Sequence, residues 1–310
     1  MKTIDRQSSV RHRSPDSGRQ VLAWQGLELS VPRLWNAVKI EGDFRAGMIL
    51  LADLESARLG LRWATAPKSK RSGTEIVNAA MREEVGELAA RAANPATAAA
   101  GGFTSQSLFV DPEPPARDVW IGLSDVSRRL VQLSYQAKTR DGVLAHDLLP
   151  TLAEQTGGGS QRWAVLDLSC EVPAGLMLHS HHLSAGDLRL SFTESRRRRI
   201  SVRQIGPATL ALARQPLEKW LAAEVAGHSR LYRSGAVTRL RLEGFEHGCR
   251  QTLARRRRAF LHRALPVQIA VCGLHDAARN RIILLQAEND DVLQQLARSV
   301  GWATPPRVGE

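Results

Sequence analysis

One plan is laid down twice along this chain, and that repetition constrains the fold more than any other feature. The stretch LELSVPRLWNAVKIEGDFRAGMILLADLESARLGLRW, Leu27 to Trp63, has a counterpart in LDLSCEVPAGLMLHSHHLSAGDLRLSFTESRRRRISVRQ, Leu166 to Gln204. Each runs from an apolar strand into Val-Pro, a second run, a glycine, an alternating strand, a charged turn and a strand bearing Arg62 or Arg203. Leu27 and Leu29 align with Leu166 and Leu168, and Val31-Pro32 with Val172-Pro173. Gly47, Ile49 and Leu51 align with Gly186, Leu188 and Leu190. Leu59 and Leu61 align with Ile200 and Val202, across a turn two residues longer in the second copy. Alternation with period two predicts half-buried antiparallel strands joined by short turns.

A helix follows in each copy. TEIVNAAMREEVGELAARAA carries Thr74 as N-cap and Ile76, Ala80, Val85 and Leu88 on one face. QPLEKWLAAEVAG has Pro216 early and Gly227 as its stop, and Glu84-Val85 matches Glu224-Val225. Two more strands come next in each half, with Arg129 matching Arg281, and then a short helix in which Leu148, Leu149 and Leu152 match Val292, Leu293 and Leu296. The expected fold class is α+β: two tandem repeated domains, each an antiparallel β-sheet packed with a long helix and a short C-terminal helix. The expected boundaries are a disordered basic tail at 1–20, a first domain at 21–156, a Gly/Ser linker at 157–160 and a second, strongly basic domain at 161–305.

An apolar strand followed by Val31-Pro32-Arg33-Leu34-Trp35, then a strand with glycine, a charged turn and LGLRW, resembles the PsbP/DcrB-like α/β sandwich superfamily. The second half keeps Val172-Pro173 but has Leu176 at the tryptophan position. The superfamily includes a luminal photosystem subunit, a bacterial envelope lipoprotein and a Ran-binding import factor. The resemblance implies a fold whose members bind proteins or serve as accessory subunits, mostly without catalysis.

Charge separates the two halves. The chain carries a net +12, yet residues 1–157 hold 20 Lys and Arg against 18 Asp and Glu, while residues 158–310 hold 23 against 13. Three scattered cysteines, Cys170, Cys249 and Cys272, suit a reducing compartment and hence the cytoplasm. The polar N-terminal stretch has no apolar signal region, and no apolar run reaches membrane-spanning length, so no membrane association is expected.

Catalytic signatures are missing: no GxSxG, HExxH, P-loop or helix-opening GxGxxG occurs. His179 and His181, two apart in a strand, are expected on one face, with His182 on the other and Cys170 in a neighbouring strand. His247, Cys249, Cys272 and His275 supply zinc-type ligands without CxxC spacing, so no metal or cofactor is expected. The arginine runs are the most conspicuous feature. Arg196, Arg197, Arg198 and Arg199, with Arg255, Arg256, Arg257 and Arg258 and the neighbouring Arg250 and Arg263, are the candidate contacts to an anionic partner. The expected function is a non-catalytic binding or adaptor protein with a protein partner. The alternatives are nucleic-acid binding by the Arg-rich surface of the second domain, and an enzyme whose chemistry carries no recognised motif.

Overall fold

Apolar-polar alternation becomes strand almost wherever it occurs. The computed structural model describes residues 18–86, 100–111, 116–137, 143–155, 158–194, 198–256 and 266–303. The first half runs β1 (Arg19–Trp24), β2 (Leu27–Pro32), β3 (Asn36–Gly42), β4 (Ala46–Ala52) and β5 (Ala57–Thr65), then α1 (Gly73–Val85). It continues through β6 (Phe103–Phe109), β7 (Ala116–Ser124), β8 (Arg129–Ala137), a π turn over Leu144–Leu148, a 3-10 turn over Leu149–Thr151, and β9 (Ala153–Glu154). The second half runs β10 (Ser160–Val165), β11 (Leu168–Pro173), β12 (Met177–Ser184), β13 (Asp187–Glu194) and β14 (Arg198–Ile205). Then come α2 (Ala208–Ala211), α3 (Leu217–Val225), a 3-10 turn over Ala226–His228, β15 (Tyr232–Ser234) and β16 (Thr238–Leu240). β17 (His247–Arg255), β18 (Gln268–Asp276), β19 (Arg281–Ala287), α4 (Asp290–Ser299) and β20 (Gly301–Trp302) complete it.

Three antiparallel sheets result. A first lateral sheet has the order β3-β4-β5-β8-β7-β6, and a second has β12-β13-β14-β19-β18-β17-β15, with β16 beside β17. The central sheet, β20-β11-β10-β1-β2-β9, takes three strands from each half. Its middle pair is β1 and β10, with Ala23 directly opposite Ala164. Those alanines are each other's counterparts: the step of 141 residues between them also relates Ile49–Leu61 to Leu190–Val202, which are paired identically. A residue facing its own counterpart marks a pseudo-twofold axis, as at an isologous contact.

The inner faces of all three sheets share one continuous core that includes Leu29, Leu61 and Leu133 of one half and Trp163, Val202 and Leu285 of the other. Trp24 meets Trp163 edge-on at 5.3 Å, and Trp163 meets Phe192 of β13 at 4.9 Å. Each such side chain contributes roughly 1.5–3 kcal/mol by leaving water. A smaller core lies under a helix on the outer face of each lateral sheet. Val77 and Met81 of α1 pack near Phe109 and Ile121, while Trp220 and Leu221 of α3 pack near Leu253 and Val271.

The expected α+β pair, each sheet under a long helix, is overturned. Strands dominate, and the described residues hold four α-helices, of which α1 has 13 residues and α3 only 9. The inner face of each lateral sheet meets the central sheet, with α4 filling part of the space in the second half, while α1 and α3 lie on the outer faces. That arrangement escapes a local pattern because β1 and β10 complete one another across the halves. The short helix expected to close the first half is a π turn and a 3-10 turn; only the second half has an α-helix there. α1 is capped by Ser72 with Glu75 in a reciprocal box rather than by Thr74. Leu88, expected on its buried face, lies outside the described residues.

Register departs from expectation as well. Ile49 is the counterpart of Leu190, not Leu188, and Leu27 of Leu168, so the matched glycines Gly47 and Gly186 are out of step by two. With that register, the charged turns have equal length.

One buried polar contact ties the first lateral sheet to the central one. Arg129 of β8 and Glu154 of β9 form an ion pair with side chains only 1% and 4% exposed. Arg129 also donates to the carbonyl of Gln25 at 2.8 Å and lies over the Phe44 ring at 4.3 Å. Burial pushes the Glu154 carboxyl up, but hydrogen bonds from Ser124, Ser127 and Arg129, with the Arg129 charge, outweigh it and hold the group below its ordinary value. The second half is built differently here. Trp302 takes the place of Glu154 in the ladder, Arg279 lies over its ring at 4.8 Å, and Arg281 reaches Asp167 only at 3.9 Å.

Candidate functional site

Alternation along β13 and β14 builds the floor of a groove on the outer face of the second lateral sheet. Leu188, Leu190 and Phe192 point into the core, so Arg189, Ser191 and Thr193 point out. Ile200 and Val202 are buried, so Arg199, Ser201 and Arg203 point out beside them. The ladders set these into rows across the strands. Ser180 faces Ser191, Ser191 faces Ser201, and Ser201 faces Gln286. Arg189 faces Arg203 on one side of that row, and Thr193 faces Arg199 on the other. Glu224 and His228, at the end of α3, form one wall; His179 and Ser180 of the edge strand form the other, and the cavity measures about 630 Å³.

A β-bulge places His179 there. The β12–β13 register slips between Leu178 and Ser180, and the β3–β4 register slips at the equivalent place, between Ala37 and Lys39. The extra residue reverses the alternation. His181 consequently turns inward against Trp24, ring centroids 5.3 Å apart, while His179 lines the groove. The expectation that these two histidines share a face is therefore corrected.

Arg203 is committed. It grips Asp187 with two bonds of 2.7 and 2.9 Å and reaches Glu224 at 3.2 Å. The hydrogen bonds from Arg203, reinforced by its charge, hold the Asp187 carboxyl below its ordinary range. Arg189 and Arg199, both exposed, have no ion-pair partner among the described residues. Nor do the side chains of Ser180, Ser191, Ser201 and Gln286 have a hydrogen-bond partner among those residues. The groove thus combines two guanidinium groups outside any ion pair, of which Arg189 acts on the Asp187 carboxylate through its charge alone, with a row of unused hydroxyl and amide groups.

The same face of the first lateral sheet is neutralised. Met48 and Leu50 stand where Arg189 and Ser191 stand, and Gly60 where Ser201 stands. Arg58, the counterpart of Arg199, bonds Asp53 at 2.5 Å. Arg62, the counterpart of Arg203, lies 3.9 Å from Glu84, which also binds Arg117.

The candidate arginines are dispersed. Arg196, Arg197, Arg257, Arg258 and Arg263 lie outside the described residues. Arg198 faces Glu194 in the β13–β14 ladder, and Arg199 lines the groove. Arg255 closes β17 opposite Tyr232, at the same end of the sheet as Arg199, and both charges act on the Tyr232 hydroxyl. Arg256 is occupied by the carbonyls of Ser229 and Tyr232 at 2.9 and 3.1 Å. Arg250 bonds Asp290 at 2.8 Å; its neighbour Cys249 packs under α3, so alternation puts Arg250 on the opposite face from Arg199.

The zinc-type residues do not converge. Cys249 packs under α3 and Cys272 in the inner core, while His247 and His275 stack opposite one another at 6.1 Å. Burial pushes the thiols of Cys170, Cys249 and Cys272 up to about 12, which makes them unreactive at neutral pH. Among the described residues no group of three or more His, Cys, Asp or Glu is arranged to hold a metal ion, and no helix is long and apolar enough to cross a membrane.

Sequence reasoning passed over Arg189, Ser191 and Ser201, which make the floor. A signal existed: in the correct register, outward positions that are Met48, Leu50 and Gly60 in one copy become Arg and Ser in the other. The glycine-based alignment hid it. No family model matches this chain, and no curated protein matches it.

Proposed function

We propose that the protein is a non-catalytic binding protein, an adaptor that offers the groove of its second lateral sheet to an acidic macromolecular partner. One observation carries this reading: Arg189 and Arg199 stand in no ion pair with any described residue over an unused polar row, whereas on the duplicated face Arg58 and Arg62 are both held against carboxylates. The groove holds serines and histidines together, yet among the described residues no serine is hydrogen-bonded to His179 or His228, as an activated nucleophile would be. The PsbP/DcrB-like resemblance points to the same role. Three unpaired, buried cysteines support a cytoplasmic setting.

The second reading, nucleic-acid binding, draws on Arg199 and Arg255 lying at one end of one face. Among the described residues the aromatics nearest to those arginines, Phe192 and Tyr232, are buried and offer no stacking platform.

Retention of the full-length chain on an immobilised polyanion tests the proposal. Arg189→Ser with Arg199→Ser should elute at clearly lower salt than Lys68→Ser with Lys70→Ser, which removes the same charge from exposed positions elsewhere. Equal elution of the two variants overturns the groove as the contact. For the nucleic-acid reading, Arg199→Ser with Arg255→Ser should lower the log–log salt slope by roughly 0.7–0.9 for each phosphate no longer neutralised. An unchanged slope removes it.

A further inference from the structure

We infer that the groove recognises a phosphoryl group, a phosphomonoester carried by the macromolecular partner, seated on Ser191 and Ser201 and held from either side by Arg189 and Arg199. The inference rests on the adaptor reading and names the chemistry that the groove accepts.

Ser191 and Ser201 are directly opposite one another in an antiparallel ladder. Such pairs have Cβ atoms roughly 4.5–5.5 Å apart, so both hydroxyls reach one group. Each hydroxyl brings one donor. Arg189 precedes Ser191 by two residues on β13, and Arg199 precedes Ser201 by two on β14. Because the strands are antiparallel, the two arginines flank the serine pair on opposite sides, each about 7 Å along its strand. An arginine side chain has comparable reach and can fold back over the pair from its own side. Arg203 is taken by Asp187 and Glu224, so the available positive charge is that of the two flanking arginines.

This donor set matches a tetrahedral dianion. A phosphomonoester carries about −1.5 to −2 charge at neutral pH and three terminal oxygens. Two guanidinium groups and two hydroxyl donors meet both the charge and the oxygens, and arginine is the side chain suited to paired bonding with phosphate. A carboxylate is planar, has two oxygens and carries a single charge, so it leaves one arginine unmatched. In the first lateral sheet no such set exists: Leu50 and Gly60 supply no hydroxyl, and Arg58 is bonded to Asp53.

Calorimetric titration of the full-length chain at pH 7.5 tests this with three probes: an otherwise uncharged peptide bearing one phosphoserine, the same peptide with glutamate at that position, and inorganic phosphate. The phosphopeptide should bind at least about tenfold more tightly than the glutamate peptide, a difference of about 1.4 kcal/mol. Inorganic phosphate should compete with it. Arg189→Ser and Arg199→Ser should each weaken it about tenfold or more, and Ser191→Ala with Ser201→Ala severalfold. The serine variant should keep the far-UV circular dichroism spectrum and the urea midpoint of the parent chain, so that its weaker binding reports the lost hydroxyls and not lost folding. Equal affinity for the two peptides, no binding of the phosphopeptide, or an unaffected serine variant overturns the phosphoryl assignment. If groove-dependent polyanion retention persists in any of these cases, the adaptor reading stands alone; if that retention is also absent, both fall. Binding of inorganic phosphate without competition by the phosphopeptide also overturns the proposal, since the partner would then not carry the group.

Discussion

The outer faces of the two lateral sheets share strand order, an edge bulge and an Arg-to-Glu contact, yet one is electrically closed and the other open. On the first, Arg58, Arg62 and Arg117 each have a carboxylate. On the second, Arg203 and Arg239 are satisfied in this way, while Arg189 and Arg199 face the groove outside any ion pair among the described residues. The difference comes from a few outward positions, where Met48, Leu50 and Gly60 give way to Arg189, Ser191 and Ser201. A duplicated scaffold therefore separates two tasks. Inward positions keep the strands in register, and outward ones are free to become a site.

The most severe way to break the comparison is to attack the core that both halves share. Leu61→Asp or Val202→Asp places a carboxylate at a position 1% or 0% exposed. Each should cost more than about 4 kcal/mol. Because the inner core is continuous, either substitution should lower a single denaturation transition for the whole chain. Two separated transitions, with only one displaced, would show that the halves fold independently.

Next in size is the contact that the second half lacks. Glu154→Leu leaves the Arg129 charge buried and unpaired and should destabilise by about 3–5 kcal/mol in urea denaturation. Arg281→Leu removes a partly exposed charge whose carboxylate lies 3.9 Å away and should cost no more than about 1 kcal/mol. Comparable losses would contradict the asymmetry. The same ion pair carries an acid signature. Glu154 has a lowered folded pKa, so its stabilising contribution is fully present above the unfolded value of about 4.3 and is lost as pH falls through the lower folded value. Stability measured from pH 6 down to pH 2 should therefore fall less steeply in Glu154→Gln than in the parent chain.

The smallest effects sharpen the comparison. Glu84→Ala deprives Arg62 and Arg117 of their carboxylate, whereas after Glu224→Ala Arg203 keeps Asp187, and as surface pairs each should cost between about 0 and 1 kcal/mol. Their effects on polyanion retention should differ. Glu224→Ala removes a negative charge from the groove wall and should raise the eluting salt, while Glu84→Ala should do so less.

The strands and the matched phasing of the two halves were legible because alternation is a local signal, although the two separate domains expected from that phasing are not what forms. Leu59, Leu61, Ile200 and Val202 sit where their periodicity put them, as does the match of Arg62 with Arg203 and of Glu84 with Glu224. The third sheet was not legible, since the partner of β1 is β10, far along the chain, and alternation says which face is buried but not against what. The bulge at His179 was equally hidden, because one inserted residue leaves no mark in composition. The arginine runs drew attention through number alone. Arg250 and Arg256 are taken up by Asp290 and by backbone carbonyls, while isolated Arg189, which belongs to no run, lines the groove.

The axis through Ala23 and Ala164 has a bearing on ancestry. A half-length chain with this strand order closes the same central sheet by meeting a second copy of itself, with β1 against β1 in place of β1 against β10. In such a homodimer every substitution is made twice, so a groove gained on one face is gained on both, and a charge harmful to one copy burdens the other. Joining the copies in one gene through the segment between β9 and β10 ends that coupling. The inherited pairing can persist while one lateral face stays neutral and the other accumulates arginine and serine.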